Sequence, residues 1–184
     1  FEMKFSRGIV TQYMTVVGET DKTGTEVLFK PDPDMFRETT EYEYDVLCQR
    51  LREEAYLNAG LKISLEDLRG DEPRTDVMCY EGGIREYVLN LNRAKTPIHD
   101  KVIYMSGSRN DSMAEIALQY NDTFAEIMKP FANNVLTPDG GMHVVGFRTG
   151  LNRTINDIFL NEITFNINPI FFIVGMVILF IVVI

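Results

Sequence analysis

The sequence predicts an α+β fold, with helices packed on one face of a mainly antiparallel sheet. Two observations carry this. Short segments of alternating hydrophobicity stand next to segments with apolar residues at helical spacing. Their order is β, α, ββ, α, βββ, α, so hairpins are mixed with helices and no internal repeat appears.

"TEVLFK" (25–30) places Val27 and Phe29 on one face and reads as a strand, stopped by "PDPD" because proline cannot donate to a ladder. The strongest helix runs over 39–60. Thr40 and Glu43 have capping-box spacing, Tyr44, Leu47, Cys48, Leu51 and Ala55 form the apolar stripe, and Gly60 is placed to end the helix in the left-handed conformation. "LKISLEDL" (61–68) alternates as a half-buried strand, and "DVMCYEGG" (76–83) reads as a short strand followed by a glycine pair. Ile84, Tyr87, Val88 and Leu91 repeat at helical spacing, which predicts a helix over 83–93. Strands are predicted over 101–106, 113–120 and 126–133, separated by "GSRND" and "NDT" turns. Val144, Phe147, Leu151 and Ile155 predict a third helix after "PDGG".

Charge and composition narrow the function. A net charge of -9 argues against a sequence-blind nucleic-acid coat, because an acidic surface repels phosphates, but it leaves room for a local basic patch. Cys48 and Cys79 form no CxxC pair and lie far from His99 and His143, so no dedicated zinc site is read and both thiols are expected to be reduced. The chain opens on Phe1 without a basic n-region and apolar run, so no signal peptide is read and the natural start is expected upstream. There is no phosphate-binding glycine loop, no HExxH and no Gly-x-Ser-x-Gly, and no catalytic residue is assigned. "GFRTGLNRT" (146–154) is the one locally basic stretch, with Arg148 and Arg153 loosely on one helical face.

Several phrases are more specific than any period: "GETDKTGTEVLFKPD" (18–32), "LREEAYLNAGLKISLEDLR" (51–69), "YEGGIREYVLNLNRAKTPIH" (80–99), "ALQYNDTF" (117–124) and "TPDGGMHVVGFRTGLNRTIND" (137–157). In this order they resemble the B subunits of bacterial DNA gyrases, which are type IIA DNA topoisomerases. The resemblance covers essentially 1–157. It implies that 1–36 corresponds to the last strands of a GHKL-class ATP-binding domain and 39–157 to part of the transducer domain that follows. The transducer has a ribosomal-protein-like fold with a left-handed βαβ crossover, opposite in hand to the usual rule. It further implies that Thr25 helps hold adenine through its hydroxyl and an ordered water, that Val27 lines the apolar wall of the same pocket, and that Arg148, with Arg153 beside it, faces the cavity holding transported DNA. The implied partners are DNA, the gyrase A subunit and a second copy of the B subunit, in the cytoplasm. ATP and Mg are the implied cofactors of the parent enzyme. Their principal ligands, the phosphate lid and the catalytic glutamate belong upstream of Phe1, and the lysine that reaches the γ-phosphate belongs beyond residue 157.

The end of the chain departs from this pattern. All 18 Lys and Arg lie at or before Arg153, and Ile, Phe and Asn make up 16 of the 27 residues after Asp157. Residues 163–184 are uncharged; as a helix they would span about 33 Å, enough for a bilayer core of about 30 Å. The segment 158–184 therefore reads as an apolar C-terminal helix. It is either a membrane anchor, which would make the chain a single-pass membrane protein with an α+β binding domain, or the product of a frameshifted reading of A/T-rich DNA.

Overall fold

The computed structural model describes residues 1–162 and 175–183. The chain divides into two compact units, 1–43 and 44–184.

The first unit is built on a hairpin of β1 (Glu2–Ser6) and β2 (Ile9–Thr15). Arg7 and Gly8 both take positive φ, 52° and 79°, between the paired residues Ser6 and Ile9. That backbone matches the right-handed twist of the flanking strands, which explains the two-residue connection. Arg7 also pairs with Asp32 (3.4 Å) and Asp34 (2.8 Å), tying the turn to the "PDPD" segment. Sequence reading did not anticipate this hairpin. It also expected a strand at 25–30, where the structure has none. A strand persists by pairing its backbone, and among the described residues 25–30 has no ladder partner.

The second unit begins with α1 (Tyr44–Leu57). The expected Thr40–Glu43 box does not form; Thr39 Oγ1 instead accepts from the Glu41 N–H at 3.1 Å, a local turn that holds the chain outside the helix. Gly60 does take the left-handed conformation expected of it, with φ 79°. A two-stranded ribbon follows, β3 (Ile63–Asp67) and β4 (Arg74–Met78), antiparallel. Tyr44, Cys48, Ala55 and Met78 bury a small core between ribbon and helix.

The helix α2 (Gly83–Asn92) starts at a glycine for two reasons. Its φ is 57°, and a Cβ there would lie 3.2 Å from the Cβ of Ala59. The larger core joins Tyr56 of α1, Ile84, Tyr87 and Val88 of α2, and Ala117 and Phe131 of the main sheet. Tyr56 stacks between Tyr80 (3.7 Å) and Tyr87 (4.7 Å), so one aromatic column links the two helices.

The main sheet contains β5 (Ile103–Arg109), β6 (Ser112–Asn121), β7 (Ile127–Ala132), β8 (Val135–Leu136) and β9 (Gly175–Val183), in the order β5-β6-β9-β7-β8. The turns Asn110–Asp111 and Asn133–Asn134 close two-residue hairpins with positive φ at each residue. The helix α3 (Met142–Glu162) follows β8, and β9 then returns parallel to β7.

This corrects the reading of the tail. Residues 158–162 belong to α3, 175–183 form a strand and not a helix, and the rest of the expected helix, 163–174 and Ile184, lies outside the described residues. The strand has an opening on both sides to fill: β9 pairs antiparallel with β6 from Gly175↔Asn121 to Val183↔Met113, and parallel with β7 from Val177↔Ile127 to Val182↔Ala132. A strand enclosed in a sheet reads as a continuous apolar run, and β-branched residues favour it. Hydropathy by itself gives a membrane helix and an enclosed strand the same signature. Among the described residues no helix is long and apolar enough to cross a membrane.

Candidate functional site

The four residues singled out from sequence fall into two places. Thr25 and Val27 lie in the first unit, both exposed, in a segment without regular structure; Val27 is 76 % exposed. Arg148 and Arg153 lie on α3, each bound to a different carboxylate.

The start of α3 is fixed by the loop before it. Thr137 donates its N–H to the Pro130 carbonyl at 2.9 Å, and its hydroxyl meets His143 Nε2 at 3.1 Å. His143 is thus a hydrogen-bonded helix-start residue. Half-buried Val144, Phe147, Leu151 and Ile155 form the stripe expected from their spacing. Arg148 grips Glu126 with both ends of its guanidinium, NH2 to Oε1 at 2.9 Å and NH1 to Oε2 at 3.2 Å, with NH2 also 3.6 Å from the Met128 sulfur. Arg153 meets Asp157 more loosely, at 3.8 Å, and remains 84 % exposed.

Behind β7 lies a polar cluster that sequence reading missed. Lys129 contacts both Glu53 of α1 and, at 2.8 Å, the Tyr87 hydroxyl of α2; that hydroxyl donates to Glu53 Oε1 at 2.8 Å. Burial pushes the Glu53 carboxyl up, but hydrogen bonds from Lys129 and Tyr87 outweigh it and hold the carboxyl below its ordinary value. Burial, and then the neighbouring Glu53, drive the Tyr87 hydroxyl upward.

A second buried network explains the "ALQYN" phrase. Asn92 donates to Gln119 (2.9 Å), Asn121 donates to Asn92 (3.2 Å), and Gln119 donates to the His99 carbonyl (3.0 Å). His99 Nε2 accepts the Tyr120 N–H at 3.1 Å while its Nδ1 lies 2.6 Å from the Lys101 carbonyl, so Nδ1 carries the proton. The signal was present in sequence: Gln119 and Asn121 alternate with Tyr120 and share the face of fully buried Ala117. Lys95, in the loop these residues brace, buries an Nζ that has no hydrogen-bond partner among the described residues. Among the described residues no group of His, Cys, Asp and Glu side chains could hold a metal ion.

Comparison with known proteins decides the family. The chain is 47 % identical over 154 residues to the DNA gyrase B protein of Bacillus mycoides, covering 84 % of this chain and 38 % of the relative. The chain belongs to the DNA gyrase B family. A family profile described as DNA gyrase B matches residues 83–170. The DNA gyrase B protein of Halalkalibacterium halodurans is 49 % identical over 154 residues, 84 % of this chain and 24 % of the relative. The 43K ATPase domain of Thermus thermophilus gyrase B, solved with an aminocoumarin, superposes with a TM-score of 0.79 at 28 % identity, over 98 % of this chain and 50 % of that one. The chain therefore spans about a quarter to two-fifths of the gyrase B sequences it matches, and half of this solved domain.

Proposed function

We propose that this chain serves as the coupling segment of a bacterial type IIA DNA topoisomerase, working in the cytoplasm. In the whole enzyme, ATP binding and hydrolysis drive passage of one DNA duplex through another. Residues 1–36 supply the last strands of the ATP-binding domain, with Thr25 and Val27 at the adenine. Residues 39–157 supply the first part of the transducer, with Arg148 and Arg153 toward DNA phosphates, which such cations hold without reading sequence. ATP and Mg belong to the assembled enzyme, whose partners are DNA, the gyrase A subunit and a second copy of the B subunit. The similarity to gyrase B proteins over 154 residues carries this reading. The polar cluster of Glu53, Tyr87 and Lys129 supports it, because a transducer must move as a rigid body and this cluster joins two helices to one strand.

Replacing the matching segment of a relative's gyrase B with residues 1–157 tests the assignment. The hybrid, mixed with gyrase A, is expected to retain ATP-dependent supercoiling. A folded hybrid that binds ATP and gyrase A but never alters DNA topology would refute it.

A further inference from the structure

Arg148 is not free to meet DNA. Its guanidinium is held at both ends by Glu126, at 2.9 and 3.2 Å. We propose that Glu126 is an internal competitor for the phosphate of duplex DNA: it occupies Arg148 until a backbone phosphate replaces it. This rests on the reading of Arg148 as a DNA-facing residue.

Three observations favour an exchangeable pair over a permanent staple. The two side chains are 50 % and 38 % exposed, so solvent and ligand reach both. Among the described residues, the Nε–H of Arg148 has no acceptor, which leaves a donor for an arriving oxyanion before the carboxylate departs. An exposed ion pair is weak and easily screened, and a phosphate matches the planar fork as well as a carboxylate does. By contrast, Lys129 and Glu53 form the pair that stays, because Glu53 is only 8 % exposed.

Position gives the exchange a consequence. Glu126 immediately precedes β7, and Lys129, three residues on, clamps α1 and α2 through Glu53 and Tyr87. Arg148 thus joins α3 to the strand that carries the helix clamp. When phosphate takes Arg148, that join is released, while the Thr137 link from Pro130 to His143 holds the start of α3 and the helix clamp stays closed.

Anisotropy of a labelled DNA duplex, titrated with the 184-residue chain at two salt concentrations, tests this. Glu126→Gln should tighten binding about two- to fivefold, the range of a weak exposed pair. The gain should vanish in an Arg148→Ala background. Arg148→Ala alone should weaken binding and lower the salt slope by about one. Weakening by Arg148→Ala with no gain from Glu126→Gln would overturn the competitor and leave the DNA-facing reading intact. An equal gain with and without Arg148 would mean simple removal of negative charge and would also overturn it. No Arg148-dependent binding at all would remove the DNA-facing reading, and the proposal with it. Should Glu126→Gln unfold the chain, the Arg148 Nε–H resonance of the unaltered protein decides instead. It must shift when DNA is added, and an unmoved resonance in a DNA-bound chain overturns the proposal.

Discussion

A carboxylate that stays ionised while only 8 % exposed needs close partners, and Glu53 has Lys129, Tyr87 and Arg50. Lys129→Met would leave that charge without its closest cation. Breaking a buried pair from one side costs about 3–5 kcal/mol, and we expect the lower end because Arg50 and Tyr87 remain. Urea denaturation would measure it, and Glu53→Gln/Lys129→Met should be milder than Lys129→Met alone. The same group sets an acid limit. Its folded value lies below the ordinary 4.5, so its contribution is complete above that pH and is lost as pH falls through the folded value. Glu53→Gln should flatten the loss of stability as pH falls from 4.5 through the folded value. Thr25 belongs to another setting: in a complete gyrase B protein, Thr25→Ala should weaken ATP binding by roughly 5- to 150-fold, the effect of losing one partner of a buried hydrogen bond. An unchanged dissociation constant would leave Thr25 without a role at the nucleotide.

Among the elements, β9 bears most on the second unit. It lies between β6 and β7, so removing it separates β5–β6 from β7–β8 and strips both inner edges of their backbone partners. Leu179 pairs with Ala117 on one side and Lys129 on the other. Leu179→Pro removes an N–H at a position paired on both sides, unlike Pro130 of β7, which is paired only toward β9. The second unit should then lose its cooperative thermal transition, while Leu179→Val should melt much as the parent does. A sharp, unchanged melt for the proline variant would show that β9 contributes nothing to the sheet.

For the whole molecule, the prediction is partial function. The groups expected to hold Mg, cover the phosphates and activate water are not assigned to any residue of this chain. The purified chain should therefore show no ATP turnover, with or without DNA. Sustained phosphate release that tracks the protein through purification would overturn the division of labour proposed for its two segments.

The local elements were legible because each one is dictated by nearest neighbours. The helical spacing of Ile84, Tyr87 and Val88, the alternation of Ile63 and Leu65, and the left-handed Gly60 all act within a few residues. Family membership was legible too, in ordered phrases such as "YEGGI" and "GFRTG". Contacts between distant residues were not legible. Glu53 and Lys129 are 76 residues apart, and Arg148 and Glu126 are 22 apart; no period in the chain encodes either pairing. The tail shows the limit most plainly. Its apolar, β-branched composition determined that 175–183 must leave water. A bilayer and a sheet both satisfy that demand, and only the two open edges of β6 and β7, brought together by the fold, decided for a strand.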